Sequence, residues 1–176
     1  MVKKINAIIL IFLYFVYGCA PYSSKEAEIT NVSCPKILFA AEHKNYIDSS
    51  QEKLSLDNLS LQAEINNAIF SEECKIQNNI FSTNLSLLFV INPIDQSKQE
   101  FVLPFYIAMI DKNKKANSIE YYSASGTSKK DLDSKDLIET EITKTIPIKV
   151  DAELINEDTT FLIGFILDKK RIELLN

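Results

Sequence analysis

Residues 80–91 read IFSTNLSLLFVI, and their alternation decides the fold. Phe81, Thr83, Leu85, Leu87, Phe89 and Ile91 fall on one face at a period of two, with Ser82, Asn84 and Ser86 on the other. A helix would scatter these side chains around its axis, whereas a strand lines them up against a core. Asn92-Pro93 then stops the run.

The same period recurs on both sides. KILFAA (36–41) is a short apolar strand, and LSLQAEI (59–65) puts Leu59, Leu61, Ala63 and Ile65 together. FVLPFYIAMI (101–110) gathers Phe101, Leu103, Phe105, Ile107 and Met109 on one face. Pro104 has no amide to donate, so this strand should begin at an edge or carry a bulge there. DKNKKAN (111–117) is a turn and SIEYYSA (118–124) the returning arm of a hairpin, whose alternation turns one of Tyr121 and Tyr122 outward.

LIETEITKTIPIKV (137–150) alternates through Ile138, Thr140, Ile142, Ile146, Ile148 and Val150, interrupted by Lys144 on that face and Pro147 on the other. Those breaks predict an edge or bulged strand. DAELINEDT is a connector with one helical turn, TFLIGFILD (160–168) is the last strong strand, and RIELLN closes the chain. Seven to eight strands with almost no helical period predict an all-β fold, an immunoglobulin- or fibronectin-like antiparallel sandwich. A small closed barrel is the alternative.

The front of the chain is different. MVKK is followed by INAIILIFLYFVY (5–17), about 20 Å as a helix against a hydrocarbon core of about 30 Å. A charged start, a short apolar core and a small residue at its end describe an export signal. That end, Val16-Tyr17-Gly18-Cys19, resembles the lipobox of bacterial lipoproteins, although Tyr17 stands where that family has a small residue. The resemblance implies cleavage between Gly18 and Cys19, a diacylglycerol on the Cys19 thiol and a fatty acid such as palmitate on the new amine. Two or more chains hold a protein stably in a membrane. Ala20 is not the Asp that retains Gram-negative lipoproteins in the inner membrane, so the resemblance favours the outer membrane, facing the periplasm. The expected organisation is a signal peptide at 1–18, Cys19 with a polar tether to 33, and one domain over 34–176.

Removing Lys3 and Lys4 with the signal takes the formal charge from −5 to −7. An acidic chain with no basic cluster is poorly suited to nucleic acid. Cys34 and Cys74 remain beside Cys19, and an exported chain with an even pair reads as a disulfide. It would close a loop of about 41 residues and contribute about 4 kcal/mol in the chain-entropy model.

Chemistry is sparse. His43 is the only histidine, so neither a Ser-His-Asp triad nor a histidine-rich metal site can be assembled. Gly126 and Gly164 are the only glycines left after processing, too few for a phosphate cradle. DLDSKD brings Asp131, Asp133 and Asp136 together, but a calcium loop would need Gly and Glu where Asp136 and Ile142 stand. The sequons at Asn31, Asn58 and Asn84 follow from an Asn- and Ser-rich composition. No catalytic residue, metal or cofactor is expected.

Cys34-Pro35 with KILFA, then Cys74, PFYIAMIDKN (104–113), IPIKV (146–150) and FLIGFILDKKRIEL (161–174) together resemble a group of small alphaproteobacterial envelope lipoproteins. Two features depart from that pattern: NPIDQSKQE (92–100) lacks a glycine and Ile166 stands in place of a Gln. The resemblance implies an envelope location and a β fold, and it carries no functional residue. The expected function is a non-enzymatic binding or assembly module with an envelope protein partner. The alternatives are a lipid or small-ligand carrier, which needs a dry cavity, and a carboxylate-based enzyme acting on glycan, which needs an acidic cleft.

Overall fold

The computed structural model describes residues 28–95, 100–130 and 137–175. In chain order the strands are β1 (Thr30–Asn31), β2 (Lys36–Phe39), β3 (Asn45–Ser49), β4 (Leu59–Phe70), β5 (Lys75–Gln77) and β6 (Ile80–Pro93). They continue with β7 (Glu100–Ile110), β8 (Ala116–Thr127), β9 (Lys129–Lys130), β10 (Leu137–Ile138), β11 (Thr140–Asp151) and β12 (Thr160–Phe165), before the helix α1 (Lys169–Leu175).

Two sheets result. In the larger, β6 pairs with β11 on one side and with β4 on the other, β4 pairs with β3, and the start of β6 is extended through β5 to β1. The smaller runs β2-β12-β7-β8. The fold is therefore an all-β sandwich and not a closed barrel. One pairing departs from the antiparallel rule: β2 lies parallel to β12, Lys36 beside Thr160 and Phe39 beside Ile163.

The core lies between the sheets and follows the alternation. Every odd residue of β6 from Phe81 to Ile91 is buried, and Phe101, Leu103, Phe105, Ile107 and Met109 of β7 face them. Phe89 bridges the layers, its ring centroid 5.2 Å from Phe105 and 5.9 Å from Phe165. In β4, Leu61, Ala63 and Ile65 point inward. A register shift between Ile65 and Asn67 then flips the parity, so that Ala68 and Phe70 pack on the core instead. A bulge adds one residue to one strand and has that effect.

The prolines sit where a ladder can spare a donor. Glu100–Leu103 of β7 pair with β8 on one side only, because β12 begins its pairing at Phe105. Just at that boundary the Pro104 carbonyl accepts from the Ile166 amide (2.9 Å). The β7 bulge lies elsewhere, between Met109 and Ile110. Pro147 lies in β11, an edge strand on which Lys144 points along the inward side.

Four expectations change. Residues 45–49, read through without an element, form β3. RIELLN belongs largely to α1. The run 137–150 divides at Glu139 into β10, which pairs with β9, and β11. Finally, Thr30 and Asn31 pair with Ile76 and Lys75, and the Val32 amide donates to the Cys74 carbonyl (2.9 Å), so residues 30–33 belong to the folded body and not to the tether.

Candidate docking face

The residues singled out by chemistry prove structural. Cys34 and Cys74 stand at bonding distance, Sγ–Sγ 1.98 Å and Cα–Cα 5.3 Å. Cys34 leads into β2 of the smaller sheet and Cys74 into β5 of the larger, so the pair fastens one layer to the other. His43 sits in a 3-10 turn (Ala41–His43) that carries the chain from β2 to β3. Its Nδ1 lies 3.1 Å from the Phe165 carbonyl, which only accepts, so Nδ1 bears the proton. The ring stands edge-on to Tyr106 at 5.7 Å. Gly164 lies beneath both: a Cβ there would come within 2.7 Å of His43 Cβ and 2.9 Å of the Tyr106 hydroxyl. Imidazole, phenol and glycine thus form a packed corner.

The three sequon asparagines are placed as ordinary structure. Asn31 lies in β1 and donates to Glu73 (3.1 Å). Asn58 organises the 49–58 loop, accepting from the Ser55 amide (2.9 Å) and donating to the Lys53 carbonyl (2.7 Å). Asn84 lies on the outer side of β6 opposite Pro147. Gly18, Cys19, Asp131, Asp133 and Asp136 fall outside the described residues. Among the described residues no group of three or more His, Cys, Asp or Glu could hold a metal, and no helix is long and apolar enough to cross a membrane.

Sequence reasoning missed Arg171, the only arginine. Its Nε donates to the Ile47 carbonyl (2.8 Å), one terminal nitrogen reaches Asp48 Oδ1 (2.9 Å), the other pairs with Asp168, and the guanidinium lies 4.9 Å from the Tyr46 ring centre. A planar fork with five donors suits this arrangement and a lysine would not. The Arg171 amide donating to Asp168, with the guanidinium charge beside it, holds the Asp168 carboxyl below its ordinary value. A lone Arg three residues past the end of the last predicted strand, at Asp168, offered the only sequence signal.

Among the described residues, the cavity found between the sheets is small. The cavity beside Ile107, Tyr122, Ile148 and Phe161 is about 10 Å³, the lower limit for a single water. At its rim the Tyr122 hydroxyl donates to Glu120 of the same strand. Burial, then that bond and the carboxylate charge, push the Tyr122 phenol well above its ordinary value. The larger depressions open to solvent and range from polar, as between the 49–54 loop and Arg171, to mainly apolar, as beside Ile69 and Leu88.

The outward side of the smaller sheet is the unusual surface. Registers place Leu38, Leu162, Ala108 and Ile119 in one row across its four strands. The next row holds Gly164, Tyr106 and Tyr121, and beyond it stand Pro104 beside Ser123 and Val102 beside Ser125. Tyr121 is 69 % exposed, Val102 59 %, Leu38 54 % and Ile119 47 %. Of the two adjacent tyrosines, Tyr121 is the one turned outward, while Tyr122 stacks on Phe105 at 5.7 Å. Along these strands, among the described residues, Lys36 of β2 and Glu100 of β7, at opposite margins, are the charged side chains pointing outward. Isolated exposed apolar residues need no explanation, but a contiguous patch marks a contact surface.

Comparison with protein families, with characterised proteins and with solved structures returns no match to this chain.

Proposed function

We propose that this protein is a lipid-anchored module of the bacterial envelope that binds a protein partner and performs no catalysis. The observation that carries the reading is the largely uncharged outward side of the β2-β12-β7-β8 sheet, where Tyr121, Val102, Leu38 and Ile119 are exposed and charge is confined to Lys36 and Glu100 at the margins. Covering such a surface releases about 25 cal/mol per Å² of apolar area. The partner this chemistry fits is an uncharged, apolar protein surface rimmed by hydrogen-bonding groups for Ser123, Ser125 and the tyrosine hydroxyls. An anionic bilayer fits less well, since adsorption to it combines an apolar face with many basic residues. The small size of the intersheet cavity beside Ile107 and Phe161 favours a docking module over a carrier.

The address rests on the resemblance of Val16–Cys19 to a lipobox. Fatty-acid labelling of wild type beside Cys19→Ala, with membrane fractionation, tests it: label and membrane association should vanish together. For the face, a photo-crosslinker at Leu38 in cells should give one repeatable product with a heterologous polypeptide, and the same probe at Ser86 on the larger sheet should not. Adding Ile119→Asp should abolish that product while shifting stability by less than about 0.5 kcal/mol. Equal capture from both positions, or capture of lipid alone, would refute the protein-docking reading.

A further inference from the structure

The two long edge strands on one side of the sandwich are built differently. β11 carries Pro147 and the inward-pointing Lys144, both devices that discourage a second strand from adding. β8 has the same length, twelve residues, and between Ala116 and Thr127 it contains neither Pro nor Lys; its one inward charge, Glu120, is hydrogen-bonded to the Tyr122 hydroxyl of the same strand. Among the described residues, β8 pairs only with β7.

Its unused backbone groups can be identified. The Pro104 carbonyl faces β12, since it accepts from Ile166. A residue's amide and carbonyl point to the same side of an antiparallel strand. Ser123, the partner of Pro104, therefore turns its amide and carbonyl away from β7. So do Ile119, Tyr121 and Ser125, whose side chains lie on the apolar outward face.

We propose that β8 pairs antiparallel with β8 of a second copy of this chain, across a two-fold axis at Tyr121. That register exchanges backbone hydrogen bonds at Tyr121 with its own counterpart and between Ile119 and Ser123 of the other copy. On the inner side it sets Glu120, an acceptor, against Tyr122 of the other copy, a donor. Sliding the pairing so that it centres on residue 120 would bring the two Glu120 carboxylates together, which is destabilising. An antiparallel pairing of β8 with its own copy is isologous, as a two-fold contact requires, and the register centred on Tyr121 also matches donor to acceptor on the inner side.

The size is adequate. Twelve residues span about 40 Å, and with the sheets about 10 Å apart the side of the sandwich formed by β8 and β11 is about 20 Å deep. The contact can reach about 800 Å² per copy, the size of a standard stable interface. The two outward apolar faces become one continuous surface of eight strands. The axis runs perpendicular to that joined sheet, so a membrane parallel to it lies on the same side of both copies. This inference rests on edge geometry and not on the lipid at Cys19.

The test uses the full chain in the cells that make it. Cys34 and Cys74 are joined, so in the wild-type chain and, in parallel, in a Cys19→Ala background that leaves no thiol at the N-terminus, a cysteine placed at Tyr121 offers a thiol on the proposed axis. With a short thiol-to-thiol crosslinker, Tyr121→Cys should give a product of twice the chain mass, at least five-fold above Ser86→Cys on the other outward face. Adding Ser123→Pro removes an outward amide without touching the β7 ladder and should return the product to background. Ile119→Cys chains produced together with Ser123→Cys chains should join to each other and not to themselves, which checks the register with no proline. Equal products at 121 and 86, no effect of Ser123→Pro, random joining of the two single-cysteine chains, or a product of another mass would each overturn the proposal. These outcomes do not depend on the fraction in which the chain is recovered, so failure of the membrane address is scored separately.

Discussion

The two sides of the sandwich, where the sheets meet edge to edge, are closed by different means. On the side of β2 and β3 three fastenings cross from one sheet to the other: the Cys34–Cys74 pair, the His43 turn over Gly164, and α1 held to β3 by Arg171. On the side of β8 and β11 no such fastening is made among the described residues, and the core is covered only by side chains such as Tyr122 and Ile148 lying against one another. The first side is spent on stability, and the second leaves a strand edge available. The difference shows how a domain of this size can keep one border open: the opposite border carries the cross-links.

That contrast can be broken from its strong side first. Replacing Cys34 and Cys74 by serine should cost about 4 kcal/mol in chemical unfolding. An unchanged midpoint would mean that the covalent link is not part of what closes the wall. Arg171→Ala should cost about 2–3 kcal/mol, since the Ile47 carbonyl and the Asp48 carboxylate both lose a charged donor. Arg171→Lys should restore less than half of it, because an ammonium can neither span the same acceptors nor lie flat on Tyr46. Gly164→Ala should cost about 1–3 kcal/mol by driving a methyl into His43 and Tyr106.

The weak side should respond less. Tyr122→Phe removes one hydrogen bond at the rim of the intersheet space and should cost about 0.5–1 kcal/mol. If it costs as much as Arg171→Ala, the two borders are not the unequal pair described above. The smallest effect is a pH dependence at Asp168. Its folded carboxyl titrates below its ordinary value of 3.8, so its contribution is present at neutral pH and is lost as the pH falls through the folded value. The melting difference between wild type and Asp168→Asn should therefore be visible at pH 7, shrink as the pH falls below 3.8 and vanish below the lowered folded value.

The parts of the fold legible in sequence were those where burial imposes a period of two. β6 and β7 have one dry face along their whole length, and their alternation is unbroken enough to name nearly every core residue. β3 was not legible because Tyr46 and Ile47 are adjacent and both buried, which no alternating template fits. The second half of β4 was hidden by its bulge, which moves the apolar set from odd to even residues. α1 has seven residues, too short to hold itself together, and it exists through Arg171 and the Asp168 cap, a contact across more than 120 residues. The lysine and proline interruptions of β11 were readable as edge signals, because edge protection is written in residue type.

The apolar outward face illustrates the same division. Val102, Tyr121, Leu38 and Leu162 are each unremarkable in a sequence, where an apolar residue on the second face of a strand looks like a fully buried strand or a stray. Only strand order and register bring them into adjoining rows. The sequence by itself determined that this chain makes strands and which side of most of them is dry, because those properties arise within a few residues of one another. Which strands became neighbours, which edge stayed open and which apolar face was left uncovered were settled by tertiary structure, since each depends on pairings between residues far apart in the chain.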